Sequence, residues 1–162
     1  MNGRQSSSEA APEPAPPVRV VIVDDHSAFA ASLSRLLDAS AAFAVVGVVA
    51  DAPSAIEALA TAAADVALVD LRLAGEDGTV LVRTIRQRWP DVRVLVLSGS
   101  SDVDSVRRAA AAGCHGYLLK GQPIAELIAG IATVARGERA FAHDISRHLT
   151  PVHDERTSSD AS

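Results

Sequence analysis

Cysteine occurs once, at position 114, lysine once, at position 120, and aromatic residues make up only 3% of the 162-residue chain. A lone cysteine excludes an internal disulfide and a Cys-rich metal site, and it fits a reducing compartment. Lysine plus arginine total 15 against 20 acidic residues, a net charge of −5. Those totals do not indicate a strongly basic nucleic-acid-binding surface. No apolar run approaches the roughly 20 residues that span a bilayer. Residues 1–17, MNGRQSSSEAAPEPAPP, lack the apolar centre of a signal peptide and read as a disordered N-terminal arm. The chain is therefore expected in the cytoplasm. There is no internal repeat, no P-loop glycine–lysine signature and no GxGxxG, so nucleotide binding lacks its usual marks. What remains is an aliphatic chain, 48% hydrophobic. One domain of small aliphatic side chains can build its core from that.

The apolar segments alternate in kind. Residues 18–23, VRVVIV, form a continuous β-branched run, the mark of a strand buried on both faces. Phe29, Leu33, Leu36 and Leu37 follow at helical spacing, with Ser27 in position to cap. Further strands are expected at 43–49, 65–70, 92–98 and 115–119. Helices are expected from Pro53 through Leu59, over 79–89 up to Pro90, over 102–112 up to Gly113, and over 123–136. Five strand–helix units in strict alternation predict an α/β fold. Its sheet is parallel and five-stranded, doubly wound in the flavodoxin-like order 2-1-3-4-5, with helices on both faces.

Ligands of such sheets sit beyond the carboxyl ends of the strands. The first strand ends in Asp24, Asp25 and His26, the third in Asp70, the fourth in Ser98-Gly99-Ser100, and the fifth just before Lys120. Three converging carboxylates repel one another unless a cation sits among them. Oxygen ligands suit a hard ion, Mg²⁺. A carboxylate beside such an ion can attack phosphorus, and an ammonium and a hydroxyl can stabilise the charge on the transferring phosphoryl oxygens. Taken singly, each feature is an ordinary turn, strand end or surface charge; four of them at four strand ends are not.

In these residues the sequence resembles the receiver domain of two-component response regulators, over residues 18–136. The matching motifs are the acidic pair Asp24-Asp25, Asp70 at the third strand end, Ser98 after the fourth, Tyr117 in the fifth and Lys120 three residues on. DDHSAFAASLSRLL and GYLLKG are most similar to receivers that precede a LuxR-type helix-turn-helix. The resemblance implies that Asp70 accepts a phosphoryl group from a histidine kinase. It implies that Asp25, Asp70 and the backbone carbonyl of Arg72 hold Mg²⁺, with Asp24 acting partly through water. Lys120 would contact Asp70 and then the phosphoryl oxygens. Ser98 would move to the phosphoryl group and Tyr117 would turn inward behind it. Together these shifts would remodel the fourth helix, fifth strand and fifth helix for a homodimer or a downstream protein. A compact ammonium can exchange partners in a tight pocket where a forked guanidinium fits poorly.

Two departures stand out. The family's Met-Pro-like pair after the acceptor is Leu73-Ala74 here, which predicts a looser loop before Asp77-Gly78. After a receiver over 18–137, residues 138–150 resemble a linker and are expected as a short amphipathic helix through Phe141, Ile145 and Leu149. Residues 151–162 are expected as a disordered tail. Twelve polar residues after Thr150 build no recognition helix, so no specific DNA binding by this chain is expected. Alternatives are a phosphorylation-independent pseudo-receiver, and the receiver half of a truncated DNA-binding regulator. An enzyme of the haloacid-dehalogenase phosphatase type fits less well, because its DxD pattern ends the first strand and here the two carboxylates are adjacent. The reading is a signalling phosphoacceptor rather than an enzyme. Cys114-His115 reads as packing, and Arg83, Arg86, Arg88 and Arg93 as a solvated face.

Overall fold

The structure, a computed structural model, describes residues 12–149. Most of the expected arm and all of the expected tail lie outside the described residues. The elements are β1 (Val18–Val23), α1 (Ser27–Asp38), β2 (Phe43–Val49), α2 (Ala52–Thr61), β3 (Val66–Asp70), α3 (Gly78–Arg88), β4 (Arg93–Ser98), α4 (Val103–Ala112), β5 (Gly116–Leu119), α5 (Ile124–Ala135), β6 (Ala140–Phe141) and α6 (His143–Leu149). The sheet is parallel, in the order 2-1-3-4-5-6. The five expected strands stand in the expected order and a sixth is added. The order reverses between β1 and β3, so the residues leaving those two strands open onto one crevice.

The central apolar runs become strands covered on both faces: all five residues of β3 are buried, as are the last four of β1, whereas edge strand β2 leaves Val46 and Val48 exposed. Aliphatic side chains do most of the filling, with Tyr117 the largest fully buried side chain. Capping sets the helix starts. Asp51 and Asp102 accept the Ser54 and Ser105 amides at the heads of α2 and α4, and Asp77 that of Thr79 at the head of α3. The expected Ser27 cap is not formed. His26 holds the cap position of α1 without a side-chain bond to the helix, and Asp24 accepts the His26 amide at 2.8 Å. A carboxylate bonding two residues on makes an Asx turn that starts the helix one residue earlier.

The segment expected as a helix from Glu138 does otherwise. Gly137 at φ 88 ends α5, and residues 140–141 pair with β5, the Ala140 and Ala142 amides donating to the His115 and Tyr117 carbonyls at 3.1 Å each. Gly116 permits this, because a side chain there would overlap the Ala140 carbonyl and Leu95. The helix begins only at His143, and its Ile145 is fully buried. An open sheet edge outcompeted the helical pattern.

Gly78 serves a similar purpose nearer the crevice. A Cβ there would overlap the Asp70 carbonyl oxygen and lie 2.9 Å from that of Leu71. Gly78→Ala is expected to cost about 2 kcal/mol through this overpacking, read as a lower urea midpoint. An unchanged midpoint would contradict the close approach.

Candidate phosphoacceptor site

The crevice gathers side chains from β1, β3 and β5. Lys120, one residue past β5, reaches back so that Nζ lies 2.7 Å from Asp24 Oδ2 and 3.0 Å from Asp70 Oδ2. Both carboxylates are 4% exposed. The same ammonium sits 4.9 Å from the Phe29 ring centroid, which helps desolvate it. Asp70 also accepts the Arg72 amide at Oδ1, 3.2 Å. Burial is the largest influence on Asp70 and raises its carboxyl above the ordinary 3.8, against the opposing pull of Lys120 and the Arg72 amide. Asp25 is exposed and accepts the Ala74 amide at 3.1 Å. One ligand atom each from Asp24, Asp25, His26 and Asp70 lie within 4.8 Å of one another. Two buried carboxylates and an exposed third, mutually repelling beside a single ammonium, are a donor set that fits a hard divalent cation.

The loop after β3 is tighter than its sequence suggests. Arg72–Leu73 and Glu76–Asp77 pair as a minimal antiparallel ladder around Ala74 (φ 47) and Gly75 (φ 83), both left-handed as in a type I′ turn. Proline could neither adopt φ 47 nor donate to Asp25. The missing proline is therefore part of a hairpin that steadies Asp25, and not a source of slack. Arg108 of α4 ties the far end of this loop down, 2.9 Å from Asp77.

On the other wall, Ser98 is buried and its Oγ accepts the Ser100 amide at 3.1 Å. The Tyr117 hydroxyl donates to the Ser100 carbonyl at 2.7 Å. Tyr117 is expected to turn inward only after Ser98 moves; it is already fully buried, because that carbonyl satisfies its hydroxyl. The Ser100 hydroxyl donates to Asp102, the α4 cap, whose carboxyl is drawn down to about 2 by its bonds to Ser105 and then Ser100. Ser100 and Asp102 thus join the β4 end to Tyr117 and α4. Sequence reasoning missed this pair, although the Asp102–Ser105 capping spacing was visible. A cleft of about 640 Å³ opens between Phe29, Asp70, Gly99 and Lys120. No atom lies within 4 Å of where a Gly99 side chain would begin, so the approach there is open.

Cys114 and His115 stay outside the site. Burial pushes the thiol up to about 11, and burial with neighbouring arginines draws the imidazole down to about 4, where Nδ1 accepts the Val94 amide.

Known proteins are similar to this chain in sequence and in fold. A profile of the response regulator receiver domain matches residues 20–132. The transcriptional regulatory protein DegU of Brevibacillus brevis is 35% identical over 131 residues, 81% of this chain and 55% of that protein. The response regulator UvrY of Escherichia coli K12 is 31% identical over 144 residues, 88% of this chain and 66% of that protein. The chain thus spans between 55% and 66% of the length of these two relatives. The crystal structure of a LuxR-family two-component response regulator from Aurantimonas sp. SI85-9A1 superposes with a TM-score of 0.77 at 31% identity, covering 82% of this chain and 95% of that one. The signal receiver domain of NarL from Mycobacterium tuberculosis gives 0.72 at 33% identity, covering 76% and 100%.

Proposed function

Since the chain belongs to the response regulator receiver domain family of two-component systems, we propose that Asp70 is its phosphoacceptor and a histidine kinase its donor. The observation that carries this is the buried Asp70 carboxylate, facing an open cleft and held by an ammonium it shares with Asp24. In the transfer, an Asp70 oxygen attacks the phosphorus of the donor phosphohistidine. The new P–O bond forms as the P–N bond breaks, and the donor imidazole leaves with the electron pair. Asp25, Asp70 and the Arg72 carbonyl would hold Mg²⁺, with Asp24 acting partly through water; the ion supplies positive charge to the transferring phosphoryl oxygens. Lys120 meets the same oxygens from the β5 side. The chemistry is confined to the chain's own phosphorylation and dephosphorylation, in keeping with a signalling module rather than an enzyme.

Output follows from the bonds on the opposite wall. A Ser98 hydroxyl drawn to the phosphoryl group releases the Ser100 amide. Ser100 carries the Tyr117 acceptor and touches the α4 cap, so Tyr117 and α4 adjust together. The Tyr117 carbonyl also accepts from Ala142, which extends the change to β6 and α6. These two elements cover part of the α4–β5–α5 face, and a homodimer or downstream protein would dock on the remainder. Among the described residues no helix is long and apolar enough to cross a membrane; we place the chain in the cytoplasm, with its output a protein contact rather than specific DNA binding.

Intact mass after treatment with acetyl phosphate tests the reading: one added phosphoryl group is expected with Mg²⁺ and none after chelation. Ser98→Ala tests the output arm. It should lose about 1 kcal/mol of stability, because the Ser100 amide is left unpaired, and should still be labelled. Its phosphorylation-induced NMR shifts at Tyr117 and α4 should be smaller than those of the wild type. Equal shifts would refute the coupling.

A further inference from the structure

The fold treats its arginines unequally. Arg19, Arg108 and Arg136 pair with Asp65, Asp77 and Glu138. The solvated face expected of Arg83, Arg86, Arg88 and Arg93 holds for Arg83 and Arg88, which are exposed. Among the arginines whose side chains are described, only Arg86 and Arg93 are half-buried. Neither forms an ion pair among the described residues. Arg86 donates to the Pro90 carbonyl at 3.2 Å, and the Arg93 side chain has no hydrogen bond among the described residues. A guanidinium drawn out of water without a counter-charge is costly, so this pair calls for an anion.

The two flank His115 at the amino ends of β4 and β5, the pole opposite Asp70 and Lys120. Arg93 precedes Val94, whose amide donates to His115 Nδ1 at 3.0 Å. The Arg86 side chain lies against Gly113, where a Cβ would be 3.3 Å from its Cγ and its Nε. From a third side comes Arg139, 5.2 Å over the Phe141 ring, leading into Ala140, whose amide bonds the His115 carbonyl. Burial first, and then these three guanidiniums, hold the imidazole at about 4, so it is neutral at neutral pH. A neutral ring that accepts at Nδ1 carries its proton on Nε2, and that N–H has no partner among the described residues. Asp91 and Asp65 line a neighbouring cleft with Arg93, but neither pairs with any of the three arginines. Donors are gathered here, and the protein supplies one main-chain carbonyl to receive them.

We propose that Arg86, Arg93, Arg139 and His115 form a binding site, separate from Asp70, for a multiply charged oxyanion of the phosphate class, free or as the end of a small phosphate compound. Planar guanidiniums grip such oxygens two at a time, and the Nε2–H adds a neutral donor. The anion joins the end of α3, the start of β4 and, through Arg139, strand β6. It thereby fastens β6 to the sheet edge along which Ala140 pairs with Gly116.

The test is an NMR titration of the 162-residue chain with inorganic phosphate and with pyrophosphate, free of Mg²⁺ and at constant ionic strength. Amide shifts are expected at Val94, Gly113, His115 and Ala140. Equal affinity for the two probes would assign a free phosphate, and a preference for pyrophosphate a larger phosphate compound. Arg93→Gln and Arg139→Gln should each weaken binding about tenfold. Arg139 is exposed, so its variant keeps the fold even where the half-buried Arg93 is less tolerant. Arg35→Gln, which removes an exposed arginine of α1, should leave binding unchanged. No shift at these residues with either probe, shifts centred on Lys120 instead, or an equal loss in Arg35→Gln would each overturn the site. At saturation, hydrogen exchange at the Ala140 amide should slow several-fold; an unchanged rate would overturn the fastening of β6.

Discussion

Asp70→Asn should take up no phosphoryl group from acetyl phosphate and should melt at a higher temperature than the wild type at neutral pH. An amide oxygen is too poor a nucleophile to replace the carboxylate, so labelling should fall to background rather than decline by a fraction. The stability gain has a separate origin. Burial raises the Asp70 carboxyl above 3.8, which means that folding disfavours its ionised form. For an acid whose folded-state value is raised, the cost of ionisation is fully present above that raised value and disappears as pH falls below 3.8. The melting advantage of Asp70→Asn should therefore be largest near pH 7 and shrink as the pH falls below about 4. An advantage that grows toward acid would mean that the Lys120 ion pair, and not desolvation, dominates at Asp70. Labelling that survives the substitution would move the acceptor elsewhere.

Lys120→Ala should have the largest effect on stability. Lys120 is the ammonium between two carboxylates whose side chains are 3% and 5% exposed, and it is itself only 15% exposed. Removing one partner of a buried ion pair leaves uncompensated charge, a loss of about 3 kcal/mol. For a domain of this size that is a fall in melting temperature on the order of 10 °C. Simple loss of side-chain packing would give a deficit indifferent to charge. The electrostatic account instead expects the double variant Lys120→Ala, Asp70→Asn to recover a large part of it, because one of the stranded carboxylates is gone. Added Mg²⁺ should also stabilise Lys120→Ala more than the wild type. No recovery in the double variant would contradict this account of the site. Lys120→Arg keeps the charge but widens the head group. It should retain labelling while the accompanying NMR shift at Tyr117 weakens, since that response depends on where the cation sits after transfer.

The convergence of Asp24, Asp25, Asp70, Ser98 and Lys120 was legible because of how parallel sheets are built. Strands buried on both faces are continuous apolar runs, and alternation with helices puts all their carboxyl ends on one edge. Only the order of types along the chain was needed for that. Contacts set by backbone geometry were not legible. Nothing in an alanine announces the left-handed turn at Ala74, which forms because the ladder on either side and the Asp25 carboxylate stabilise it. The choice of Asp24 over Ser27 to start α1 is a competition between two good capping chemistries whose helix starts differ by one residue. Residues 138–149 carry an apolar spacing suited to a helix, but Gly137 and the bare edge at Gly116 let part of it pair as β6 instead. The Ser98–Ser100–Tyr117 bonding runs through main-chain amide and carbonyl groups, which side-chain identity does not specify.

The central claim is that a phosphoryl group lands on one oxygen-bearing side chain, Asp70. Borohydride reduces an acyl phosphate to the alcohol, so an aspartyl phosphate becomes homoserine and is marked permanently. The full chain is treated with acetyl phosphate and Mg²⁺, reduced, digested and sequenced by mass spectrometry. Homoserine at position 70 alone, absent when Mg²⁺ is chelated, is the expected result. Homoserine at Asp24 or Asp25, or a phosphoryl group retained on a histidine with position 70 unmodified, would contradict it.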